Sequence, residues 1–68
     1  MAAKLVSTGR RWRNTELKGN DVGKFREYLR DMHINFETSE AGYGYIHFEV
    51  LVSESEEQEA NDFLLNLN

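Results

Sequence analysis

Ile34-Asn35-Phe36-Glu37-Thr38 and Gly44-Tyr45-Ile46-His47-Phe48-Glu49-Val50 alternate apolar and polar residues with a period of two. That period marks half-buried strands, because successive side chains of a strand point to opposite faces. Ser39-Glu40-Ala41-Gly42 between them is turn-rich, so the two segments predict a hairpin. Parity assigns the faces. Ile34 and Phe36 join Ile46, Phe48 and Val50 on one side, and Asn35, Glu37, Tyr43, Tyr45, His47 and Glu49 take the other. A slip by one residue would bury Glu37, so the assignment of faces is well specified. The expected pairing sets Phe36 against Ile46 and Ile34 against Phe48. It therefore sets His33 against Glu49 and Asn35 against His47. Leu51 and Val52 carry the apolar run past the clean alternation, and a bulge is expected there.

The hairpin is flanked by helical patterns. Val22, Phe25, Leu29 and Met32 recur at steps of three and four, which predicts a helix over residues 20–33 with Asn20 or Asp21 as N-cap. Ala60, Phe63, Leu64 and Leu67 predict a second helix over 53–67. Ser53-x-x-Glu56 reads as a capping box, in competition with Ser55-x-x-Gln58. Glu54, Glu56, Glu57 and Glu59 then crowd the positive end of the helix macrodipole, a structural reason for most of the acidic charge there.

Ahead of the first helix, Lys4-Leu5-Val6-Ser7 and Arg11 to Leu17 read as strands about Thr8-Gly9. Trp12 is the expected core anchor, although alternation does not keep Trp12 and Leu17 on one face. The order strand, helix, strand, strand, helix is that of an α+β, ferredoxin-like split βαβ arrangement. It predicts an antiparallel, open-faced sheet with two helices on one face, the strand at 44–52 central between those at 11–17 and 34–38. The last strand of that pattern is missing, and residues 4–7 are expected to take its edge.

Sixty-eight residues predict a single domain, residues 1–68. A chain this short buries only about 60% of its unfolded surface. It has no Cys, so disulfides and thiolate metal sites are excluded. No apolar run approaches the roughly 20 residues of a membrane span. A soluble, cytoplasmic protein is the expectation. The net charge of −4 hides a division. All eight Lys and Arg lie in residues 1–30, with three acids, whereas residues 31–68 hold nine acids and neither Lys nor Arg. Such asymmetry is a hint of a charged partner.

Gly42-Tyr43-Gly44-Tyr45-Ile46-His47-Phe48 resembles the RNP1 signature of the RNA-recognition motif. The resemblance implies a central strand with Tyr43 and Tyr45 as stacking platforms for unpaired bases. Arg11 and Arg13, flanking Trp12, would supply phosphate contacts. Ala41 stands where that family has a cation, no partner motif lies on the first strand, and a fourth strand is lacking. Cations on that strand also have a protective reading, since they deter edge-to-edge aggregation. His33, His47 and Glu49 on one face read as a cross-strand His–Glu pair rather than a metal site, and no cofactor is expected.

No nucleophile constellation and no phosphate-binding loop is visible, so a non-enzymatic role is expected. The sequence points to a small binding or accessory module that uses the open sheet face. Its candidate residues are Tyr43, Tyr45, His47, Trp12, Arg11 and Arg13. The expected partner is another protein or a second copy, in a weak homodimer. Single-stranded RNA or DNA on the RNP1-like strand is the alternative.

Overall fold

The structure, a computed structural model, describes residues 9–67. The expected strand at residues 4–7 lies outside the described residues. Five elements follow in order: β1 (Arg11–Lys18), α1 (Asn20–Asp31), β2 (Phe36–Gly42), β3 (Tyr45–Val52) and α2 (Glu54–Leu65). The strands form one antiparallel sheet in the order β1-β3-β2, as the sequence pattern predicts. The fold is thus α+β with an open sheet. This order is compatible with the ferredoxin-like arrangement but is shared with other small α+β folds and does not single it out.

The core forms where the apolar sides of β3 and both helices meet. Phe25 and Leu29 of α1, Ile34, Phe48, Val50 and Val52, and Ala60 of α2 are buried together. Phe25 meets Phe48 edge to face at 5.1 Å between ring centroids, the arrangement aromatic quadrupoles favour. Tyr28 of α1 stacks on Phe63 of α2 at 4.4 Å and closes the gap between the helices. Ile46 and Phe63, expected in the core, are only partly buried. Met32 is exposed, and Leu67 is half-buried outside the main cluster.

Helix ends follow local chemistry. The N-cap of α1 is Gly19 with φ 66°, not Asn20 or Asp21, and no side chain caps it. Glycine is favoured there because the chain reverses from β1 into α1 in the left-handed region. At the other end His33 takes φ 57°. Its N–H donates to the Arg30 carbonyl and the Ile34 N–H donates to the Leu29 carbonyl, at 3.0 and 2.9 Å. This is a Schellman ending, with the accompanying Ile34 and Leu29 side chains both in the core. His33 therefore terminates a helix instead of facing Glu49. α2 starts with the expected capping box: the Glu56 N–H donates to Ser53 Oγ, and the Ser53 N–H donates to Glu56 Oε1.

The hairpin departs from its expected register. Its turn is Tyr43-Gly44, not Ser39 to Gly42, and β2 runs on to Gly42. Both turn residues have positive φ, 54° and 81°, as type I′ turns require. Such turns match the twist of the strands they join. Phe36 pairs with Val50, Glu37 with Glu49 and Ser39 with His47. The faces stay as predicted because the displacement is an even number of residues. A bulge lies between Glu40 and Gly42, not at Leu51 and Val52, which pair regularly with Trp12 and Arg11.

Candidate functional site: the open sheet face

Parity and register together build the face that the helices leave open. Phe48, Val50 and Val52 point into the core, so Tyr45, His47, Glu49 and Leu51 of β3 point away from it. The antiparallel register then sets β1 residues beside them: Trp12 by Leu51, Asn14 by Glu49, Glu16 by His47 and Lys18 by Tyr45. From β2 come Glu37 beside Glu49 and Ser39 beside His47. The face is a short grid. One end is Trp12 and Leu51, the other is Lys18 and Tyr45, and the middle is acidic.

Trp12 is 51% exposed. It is not the core anchor, because burying Leu17 on the helix side turns Trp12 outward. At the far end, Lys18 Nζ lies 5.1 Å from the centre of the Tyr45 ring, a cation–π contact. In the middle, His47 Nδ1 lies 3.6 Å from Glu16 Oε2 and His47 Nε2 lies 3.9 Å from Glu49 Oε2. The two ring nitrogens thus face two different carboxylates, one across the strands and one on β3 itself. Glu37 stands directly opposite Glu49, and like charges in that position repel.

The six candidate residues are not brought together. Tyr45, His47 and Trp12 share the face. Tyr43 occupies the turn and is wholly exposed, with φ 54°, so it projects from the hairpin tip rather than standing in line with Tyr45. Arg11 and Arg13 pair across from Val52 and Val50, so parity sends them to the helix side. Arg13 Nε donates to Glu57 Oε2 at 2.9 Å, and Arg10 donates to Glu56 Oε1 at 2.9 Å. The charge division of the sequence is thus partly satisfied within the fold. Both ion pairs remain open to solvent on the arginine side and contribute at most about 1 kcal/mol each.

Glu16 and Lys18 belong to the face but were not singled out by the sequence. Only the β1–β3 register reveals them. Tyr28, on the opposite side of the molecule, has its phenol pKa raised from 10.0, first by burial and then by the carboxylates of Glu59, Glu56 and Asp62. None of the described helices is long and apolar enough to cross a membrane. Comparison with protein-family models, curated proteins and solved structures finds no match to this chain.

Proposed function

We propose that this chain is a small, non-enzymatic docking module that holds a protein partner against its open sheet face. The observation that carries this reading is the exposed Trp12 beside Leu51, on the face opposite both helices. Trp and Tyr are the side chains on which interface energy concentrates, and Tyr45 supplies a second aromatic at the far end. The partner is a different protein rather than a second copy. Two copies face to face would bring Glu16, Glu37 and Glu49 of each toward the same acids of the other, against one Lys18 and one His47 apiece among the described residues. The same charges weigh against single-stranded RNA or DNA, since carboxylates repel phosphates and the arginines lie on the other side. The proposed setting is cytoplasmic, and the absence of Cys fits a reducing compartment.

The test uses a photo-crosslinking amino acid in place of Asn14 on the sheet face or of Lys24 on α1, in cells that express the chain. Capture of a discrete protein from Asn14 alone, lost when Trp12→Ser is added, is expected. Equal capture from both positions, or capture of RNA from Asn14, would overturn the proposal.

A further inference from the structure

We infer that the segment docked on the sheet face is basic, with an apolar residue seated on Trp12 and Leu51 and Lys or Arg side chains over the acidic middle. This rests on the docking reading above and adds the chemistry of the partner. Three observations carry it. Among the described residues the face holds Glu16, Glu37 and Glu49 against one Lys, Lys18, whose ammonium is already engaged over Tyr45, and His47, which lies 3.6 Å from Glu16 and 3.9 Å from Glu49. Glu37 and Glu49 are direct cross-strand neighbours, and among the described residues neither forms an ion pair with a Lys or Arg. Of the nearby arginines, Arg10 and Arg13 hold Glu56 and Glu57 of α2, and Arg11 lies on the helix side of β1. The Glu37–Glu49 repulsion thus has no Lys or Arg to relieve it among the described residues, and a cation placed there gains from two or three carboxylates at once.

Spacing defines the partner further. Neighbouring positions on one face of a strand are about 7 Å apart, two residues of roughly 3.3 Å each. The apolar contact at Trp12–Leu51 is therefore followed at about 7 Å by the Glu49–Glu37 pair and at about 14 Å by Glu16. Trp12, unlike Tyr45, has no cation over its ring among the described residues, so it is open to an apolar or cationic side chain.

The probe is a fluorescein-labelled, helix-forming peptide of Leu, Lys and Ala, compared with the same peptide carrying Glu for Lys. Binding to the full chain is followed by anisotropy and by the emission of Trp12, the sole Trp. The basic peptide should bind and shift the Trp12 emission. Glu16→Gln/Glu49→Gln should weaken it about fivefold, as the loss of two exposed ion pairs of mid-range strength implies. Trp12→Ser should weaken it as well, with the fold of each variant checked by circular dichroism. If both peptides bind alike, ignore the Gln pair and are lost with Trp12→Ser, the basic partner is overturned while docking on this face stands. If binding follows the Gln pair but ignores Trp12→Ser, the attraction is general and the docking reading falls. No binding of the basic peptide overturns the inference.

Discussion

Replacing Tyr43 by Asn should stabilise this protein, although Tyr43 is a candidate binding residue and Asn is smaller and more polar. Tyr43 is wholly exposed, so truncation removes little packing. Its backbone sits at φ 54°, beside Gly44 at φ 81°. An ordinary L-residue in the left-handed region costs roughly 1–2 kcal/mol, because Cβ crowds the following carbonyl, whereas Asn visits it routinely. Asn-Gly is also the preferred pair for a type I′ turn. The substitution should therefore recover about 0.5–1 kcal/mol of that cost. For a domain of this size such a gain raises the melting temperature by about 2–8 °C. Thermal unfolding followed by far-ultraviolet circular dichroism measures it directly. Gly44→Ala serves as the opposite control: nothing lies within 4 Å of the added methyl, so its expected loss comes from the backbone alone. A Tyr43→Asn protein that melts at or below the parent temperature would refute the reasoning about the turn. A gain would show that a strained tyrosine is kept at the hairpin tip at the expense of stability, the pattern expected of a side chain retained for contact.

Other consequences are equally open to measurement. Phe48→Ala removes a fully buried ring that meets Phe25 at 5.1 Å, and should cost about 3–5 kcal/mol. Since a chain of this length has a total stability of roughly 3–10 kcal/mol, the variant should be largely unfolded or melt far lower, and an unchanged urea midpoint would contradict the assigned faces. The raised phenol pKa of Tyr28 has a fixed sign: its contribution is complete below pH 10 and fades as pH rises through the folded-state value, because only the unfolded chain readily loses that proton. Tyr28→Phe should lessen the fall in urea midpoint between pH 9 and pH 11, and an unaltered fall would show that other groups cause it.

Periodicity exposed the two faces of the hairpin but not its register. Phe36 pairs with Val50, four residues beyond the expected Ile46, and an even displacement leaves the alternation of polar and apolar positions unaltered. What distinguished the two was turn geometry. The favoured site is a short turn with positive φ at both residues, and Tyr43-Gly44 meets it in spite of the tyrosine. The helices were legible because their apolar stripes and the Ser53 box are local signals, whereas the end of α1 at His33 depends on a residue that only tolerates the left-handed region. On β1 the pattern was in conflict, for Trp12 and Leu17 cannot share a face. The fold resolves this by packing the smaller residue, Leu17, against the core, and the arginines beside Trp12 leave the candidate site for that same side. Glu16 and Lys18 entered the site through pairings that join residues far apart in the chain, which local sequence does not encode.

The strand order also bears on how the chain reaches this state. β3 pairs with both other strands, so β1 finds no partner among the described strands until β3 has been made. Lys18 must wait for Tyr45 and Arg11 for Val52, whereas β2 and β3 can zip from their two-residue turn within about 1–10 μs. During synthesis β1 is therefore the segment with its backbone groups open for the longest time. Arg11, Arg13, Glu16 and Lys18 are spread along that strand on both faces, and such charges discourage a growing chain from pairing with its neighbours. Neutralising them would be felt first as aggregation of nascent chains rather than as a change in the finished fold.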